Sequence, residues 1–226
     1  MDELTVHLTG SNRMIAKEIM RRIAQRANRA MIALARTGRS ALKSVIQQAI
    51  LDSEEMEDLR GGKLQGQLGL SPSLAANVPQ DIAEAVADSI ELIPRKTYVK
   101  GSTGLQGGMS LSIQPSDFSN ILNMPDSTIR YYSTRYKRIV TLDWLNWLLK
   151  QGQEVIVSNY IVNYGNHGRS GQAKMKRSMG AVWKVDSKYS GTIDDNFISR
   201  ALNDPSVRNN MLKVLNQLMN QYFSGN

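Results

Sequence analysis

Apolar residues recur at helical spacing along the first quarter of the chain. Ile15, Ile19, Ile23, Ala30 and Leu34 fall on one side of a 3.6-residue helix, with Lys17, Arg21, Arg22, Arg29 and Arg36 largely opposite. Gly10-Ser11-Asn12 supplies a turn and an N-cap for it, after a short alternating segment built on Leu4, Val6 and Leu8. The pattern weakens at Thr37-Gly38, resumes through Leu42, Val45, Ile46 and Ala49, and is expected to stop near Gly61-Gly62, as two helices or one kinked one. Lys63 to Pro79 carries glycine, Ser71-Pro72 and no sustained period. It reads as a connection with one short turn or helix, followed by a short helix from about Gln80.

Strand-forming residues then take over. Thr97-Tyr98-Val99 and Met109 to Ile113 read as two strands joined by a flexible hairpin tip, Gly101 to Gly108, while Ile90 to Ile93 suits either a helix end or a strand start. Tyr131 to Lys137 is polar, basic and tyrosine-bearing, and reads as an extended loop. A helix follows, capped by the Thr141 hydroxyl and stopped by Gly152. Leu142, Leu145, Leu148 and Leu149 with Trp144 and Trp147 make it apolar nearly all round, as in a buried helix. Glu154 to Tyr164 has the composition of a central strand, expected to pair antiparallel with a second around Ala181 to Val185. Asp194 and Asn196 precede a helix through Phe197, Ile198, Ala201 and Leu202. A last helix, with Val207, Met211, Val214, Leu215, Leu218 and Tyr222 on one face, is expected to pack on the sheet.

The fold class is therefore α+β: a long basic amphipathic N-terminal helix or helix pair, a mostly antiparallel sheet flanked by helices, and a C-terminal helix. Residues 1–70 form an N-terminal helical region and 71–226 an α+β core, or the two make one continuous domain. A length of 226 residues fits one large domain or two small ones, and apolar and charged shares of 41% and 21% are those of a chain that folds.

Charge and cysteine narrow the function classes. With no cysteine, structural disulfides, thiolate nucleophiles and Cys-based zinc sites are excluded, which fits a cytoplasmic product. The start, Met1-Asp2-Glu3, is acidic, and no apolar run approaches the roughly 20 residues that span a bilayer, so neither export nor membrane insertion is expected. The net charge of +8 is concentrated in the first helix, in Arg13, Lys17, Arg21, Arg22, Arg26, Arg29, Arg36, Arg39 and Lys43. Such a stripe meets phosphates, an acidic membrane or an acidic protein face, or simply faces solvent.

Catalytic chemistry finds little footing. His7 and His167 are the only histidines, so a transition-metal site would lean on carboxylates, and Asp194-Asp195 reads as a helix cap. His167 and Ser170 place an imidazole near a hydroxyl, but Gly168-Arg169-Ser170-Gly171 is one residue short of a nucleophile elbow and lies between strands. The glycines at 101–108 lack the Lys-Ser/Thr ending of a phosphate loop. Trp144, Trp147 and Trp183 have the periodic apolar neighbours of core residues rather than of base-stacking ones. The expectation is a protein that is not an enzyme and carries no cofactor or metal.

The order of elements in the second half carries a resemblance. A Trp-rich helix at 141–149 is followed by a strand, the loop Arg169-Ser170-Gly171-Gln172-Ala173-Lys174-Met175, then Trp183-Lys184-Val185, then Ser190-Gly191-Thr192-Ile193-Asp194-Asp195-Asn196-Phe197-Ile198-Ser199-Arg200-Ala201-Leu202. This resembles the neck and tail-completion proteins of tailed bacteriophages. Leu59-Arg60-Gly61-Gly62-Lys63-Leu64 through Leu70 is similar to a further run of the same group. The likeness covers roughly residues 40–70 and 140–203. Asp186 stands where the group has proline after the Trp-x-Val strand, and Gly171 follows Ser170 directly where longer loops are common.

The resemblance implies a structural virion protein, assembled in the host cytoplasm, that forms a homo-oligomeric ring, a hexamer by likeness, joining the head's portal or connector to the tail. Its partners would be the neighbouring neck, connector and tail proteins. Contact residues are expected at Tyr131, Tyr132, Arg135, Arg169 and Lys174, with Arg22, Arg26 and Arg29 docking on an acidic partner or on packaged DNA. Trp183, Gly191, Thr192, Asn196, Phe197 and Arg200 are the signature residues, with a structural role expected. A tail terminator capping the tail tube is the alternative within this class. Outside it stand a nucleic-acid-binding protein using the basic helix and a hydrolase built on His167 and Ser170.

Overall fold

The computed structural model of the chain describes residues 12–101, 104–113, 115–133 and 136–224. The alternating segment at Leu4 to Leu8, the Gly10-Ser11 turn, His7 and Arg135 lie outside these residues. The molecule is α+β, with a long N-terminal helix, a C-terminal helix and, among the described residues, antiparallel strands distributed over three two-stranded sheets. It divides into two compact units. One comprises Met1–Arg39, Glu91–Ser112 and Leu215–Asn226, and the other Ser40–Ile90 and Ile113–Val214.

Helix α1 runs unbroken from Asn12 to Leu51. Gly38 does not interrupt it, because this glycine serves a close approach: a Cβ there would lie 2.8 Å from Leu92 Cδ1 and 3.3 Å from Leu215 Cδ2. The helix stops ten residues before Gly61. Ser53, in an extended conformation, donates its hydroxyl to the Ile50 carbonyl and opens the short helix α2, Glu54–Leu59. Gly61-Gly62 then separates α2 from α3, Lys63–Leu68, whose start is capped by the Asp58 carboxylate, accepting from the Leu64 and Lys63 N–H groups at 2.6 and 3.2 Å.

The stretch that reads as a connection holds the start of an 18-residue helix, α4, Pro72–Ser89. Ser71 Oγ accepts the Leu74 N–H and Pro72 occupies the first turn, where its missing donor costs nothing. Ser71-Pro72 is thus a helix-start signal, and Pro79 is carried inside the helix. Strands β1, Ile90–Lys100, and β2, Gly104–Ile113, form the first hairpin, so Gly104 to Gly108 belong to a strand rather than to its tip. Gly107 takes φ +156° against Thr97, where any Cβ would overlap that residue's backbone.

In the first unit, Asn28 on α1 treats Thr97 of β1 as a pairing strand would, donating to its carbonyl at 2.9 Å and accepting its N–H at 2.6 Å. The expected apolar face of α1 is only partly used. Ala30 and Leu34 are buried, whereas Ile19 and Ile23 are exposed; Ala24, outside that face, is buried too.

The second unit continues with α5, Ser119–Leu122, and a 3-10 turn at Pro125–Ser127. Strands β3, Ile129–Ser133, and β4, Arg138–Leu142, then pair antiparallel with Tyr131 opposite Val140. The Tyr/Arg segment is therefore a hairpin. Thr141 lies in β4, and the helix it was expected to cap, α6, spans Trp144–Leu149 with Asp143 at its N-cap. Its tryptophans and leucines are buried, as the pattern required. Strands β5, Val157–Tyr164, and β6, Ala173–Trp183, form the expected antiparallel hairpin, although β6 begins within the anticipated loop.

Helix α7, Phe197–Asn203, opens on Asn196 with a capping box, and α8, Pro205–Ser224, ends the chain. The core of this unit joins Leu42, Ile46 and Ile50 of α1, Met56, Leu59, Leu64 and Ile82 of α2 to α4, and Trp144, Phe197 and Ile198, all buried. Helix α8 contacts α1 in the first unit, where Arg26 donates to the Phe223 carbonyl at 3.3 Å and lies 5.1 Å from its ring.

Candidate interface cleft

Chain segments far apart in sequence converge in the second unit. Arg169 Nε donates to the Gly69 carbonyl at 2.9 Å, and Gln172 Nε2 donates to the Gly61 carbonyl and to Gln65 Oε1 at 3.1 and 2.9 Å. Gly66 of α3 lies against Ala173 of β6. The loop at 169–175 is therefore built against the run at 59–70. Ser170 is buried, and its Oγ accepts the N–H groups of Gln172 and Ala173, which fixes the turn. The His167 ring contacts the Asn163 carbonyl instead, so the two groups do not form a nucleophile–base pair.

Beside this junction lies a cleft of about 520 Å³ between the β3–β4 and β5–β6 hairpins. Tyr131, Leu142, Trp147, Val157, Tyr160 and Trp183 supply most of its apolar wall, and Gln67, Ser133, Arg169 and Lys174 its polar side chains. Trp147 and Trp183 meet edge to face, 5.5 Å between centroids. The Arg169 guanidinium lies 4.6 Å over the Tyr131 ring. Partial burial lowers its pKa, opposed by the Tyr131 phenol. Among the described residues no carboxylate pairs with Arg169 or Lys174, while Trp183 Nε1 and Gln67 Oε1 are buried with no hydrogen-bond partner.

The expected interface residues separate into three places. Tyr131, Arg169 and Lys174 line the cleft; Tyr132, one position on in β3, points elsewhere and is 62% exposed. Arg22, Arg26 and Arg29 line a second concavity of about 600 Å³ with Arg21, Gln25 and Tyr222, in the first unit. There Glu18 bonds Arg21 at 2.8 Å and Arg22 at 3.3 Å, which holds the carboxyl below its usual range.

The signature residues form a structural junction. A Cβ on Gly191 would overlap the Leu148 carbonyl, and the Gly191 carbonyl accepts the Gly152 N–H at 2.8 Å. Thr192 Oγ1 accepts the Asp195 N–H, Phe197 is fully buried, and Arg200 bridges buried Glu55 at 2.6 Å and Asp195 at 3.0 Å. Burial alone would lower the Arg200 pKa, and the two carboxylates hold it above its ordinary value.

Sequence reasoning missed Gln67, Tyr160 and Val162 of the cleft. Asn159 takes φ +63° at a register irregularity, and its Oδ1 accepts the Gly180 N–H. Simple alternation puts Tyr160 and Val162 opposite Val157; the bulge returns them to its side.

Among the described residues no group of three or more His, Asp or Glu side chains is placed to hold a metal ion, and no helix is long and apolar enough to cross a membrane. No family model, curated protein or solved structure matches the chain.

Proposed function

We propose that this chain is a structural subunit of a tailed-phage neck, forming a homo-oligomeric ring that joins head to tail, and that it acts by adhesion rather than catalysis. The observation that carries the reading is the apolar surface of the two hairpins. Tyr132, Ile139, Ile161, Val182 and Met179 are between 43% and 88% exposed on sheets that, among the described residues, hold two strands each. An isolated two-stranded sheet is marginal in water, and apolar hairpin faces of this kind are the form of surface that association covers. The resemblance of residues 59–70 and 169–202 to neck and tail-completion proteins supplies the class, and those segments pack on one another around Gly69, Arg169 and Gln172. Ring closure through a head-to-tail interface lets one hairpin face meet a different face of the next subunit. Capping the tail tube as a terminator is the same chemistry at a neighbouring position.

Native mass spectrometry of the purified chain, with electron microscopy, tests the reading. A single closed stoichiometry, six by resemblance, is expected; a chain that stays monomeric at micromolar concentration contradicts it. The concavity lined by Arg21, Arg22, Arg26 and Arg29 favours one second reading, contact with a nucleic-acid backbone. That reading requires DNA retention that falls steeply with salt, and a shallow dependence removes it.

A further inference from the structure

The cleft between the two hairpins is an incomplete site. Its lining includes two cations, Arg169 and Lys174, and no acidic residue. Its wall is aromatic and aliphatic. An occupant that completes it brings a carboxylate and apolar side chains on one face. Residues 1–11 of this chain have that pattern. Asp2, Leu4, Val6 and Leu8 are spaced by two, so an extended segment turns one carboxylate and three apolar side chains to the same side. Its only charged side chains are the acids Asp2 and Glu3, opposite in sign to the two cations of the cleft.

We propose that the cleft is the docking site for residues 1–11 of a neighbouring copy, with Asp2 toward Arg169 and Lys174 and with Leu4, Val6 and Leu8 against the Trp147–Trp183 wall. Assignment to a second copy rests on the ring reading. Residues 1–11 precede α1 and would reach roughly 36 Å if extended. This is recognition of an extended peptide: backbone groups and apolar anchors give affinity, and the charge pair sets direction and register.

The absence of native cysteine makes the test clean. Full-length Leu4→Cys and full-length Met175→Cys, of different mass through a tag, are mixed and oxidised. Met175 lines the cleft, whereas Met179, on the same strand and 88% exposed, does not and serves as the control. The expected result is a disulfide-linked pair of the two chains with Met175→Cys, little with Met179→Cys, loss of linkage when Arg169→Glu is added, and recovery when the other chain carries Asp2→Lys. Tryptophan emission of the Arg169→Glu chain verifies that it folds. Native mass spectrometry of the same mixtures separates the failures. Intact rings without linkage overturn the arm and leave the ring reading standing; monomers without linkage overturn both. Linkage that forms only within one chain carrying both cysteines overturns the assignment to a second copy.

Discussion

Replacing Asn196 with alanine removes the cap that joins the signature loop to α7. Asn196 is fully buried; its Oδ1 accepts the Ile198 and Ser199 N–H groups at 3.1 and 3.2 Å, and its Nδ2 donates to the Thr192 and Ile193 carbonyls at 2.9 and 3.2 Å. Losing an N-cap side chain costs about 1 kcal/mol. Ile198 is also fully buried, so its N–H finds no water, and an orphaned donor of this kind adds about 1–3 kcal/mol. Thr192 and Ile193 are exposed, so their carbonyls regain solvent and contribute little. The expected loss is about 2–4 kcal/mol. Asn196→Asp keeps both acceptor contacts and should lose less. Trp144, Trp147 and Trp183 all lie in the unit that holds Asn196, so denaturant unfolding followed by tryptophan fluorescence reads that unit directly. A loss below about 0.5 kcal/mol, the range of an ordinary surface substitution, would refute the reasoning.

Arg200→Met leaves the Glu55 carboxylate buried without its partner. Breaking a buried pair costs about 3–5 kcal/mol, and because the Arg200 side chain is 36% exposed, solvent reduces the expected loss to about 2 kcal/mol. Adding Glu55→Gln should recover part of it, and strict additivity of the two changes in a double-mutant cycle would show that the pair is uncoupled. The Asp204 carboxyl is held below its ordinary value near 3.8 by the Ser206 hydroxyl first, and by the Ser206 and Val207 N–H groups at the start of α8. A depressed folded pKa contributes stability that is present above the unfolded value and lost as pH falls through the folded one. The stability difference between the native chain and Asp204→Asn should therefore persist at pH 7, begin to shrink as pH falls through about 4, and be lost only below the depressed folded value, in acid titrations followed by circular dichroism; a constant difference contradicts it. Exchanging Arg22, Arg26 and Arg29 for Glu should keep the fold, with a small loss of stability from the Arg26–Phe223 and Arg22–Glu18 contacts, while blocking head–tail joining in a complementation assay, and undiminished infectious yield would remove the expected docking role of α1.

The sequence carried the fold class because buried helices announce themselves: Trp144, Leu145, Trp147 and Leu148 are apolar at nearly every position and are buried. The Asn196 cap was legible for the same local reason, a polar residue of the right type just before an apolar run. Helix ends were harder where one residue has two physical meanings. Gly38 marks close packing on Leu92 instead of a break, and Ser71-Pro72 starts a helix instead of a loop. The periodicity of α1 put Ile19 and Ile23 on its apolar side, but periodicity specifies a face and not what covers it, and both are exposed. The cleft was legible in part. Arg169, Lys174 and Tyr131 drew notice as charged or aromatic residues in expected loops, yet their convergence depends on pairing between segments about 100 residues apart, such as Arg169 with Gly69. Tyr160 joined them only through the irregularity at Asn159, which alternation does not encode.

Quantitative mass spectrometry of gradient-purified particles of the phage that the proposed function requires, after nuclease treatment and a high-salt wash, tests the central claim most directly. A neck subunit should be present at a few copies per particle, in fixed ratio to the portal protein and unchanged by the wash. Absence from finished particles, or loss with the nuclease and salt, would contradict a structural place in the neck.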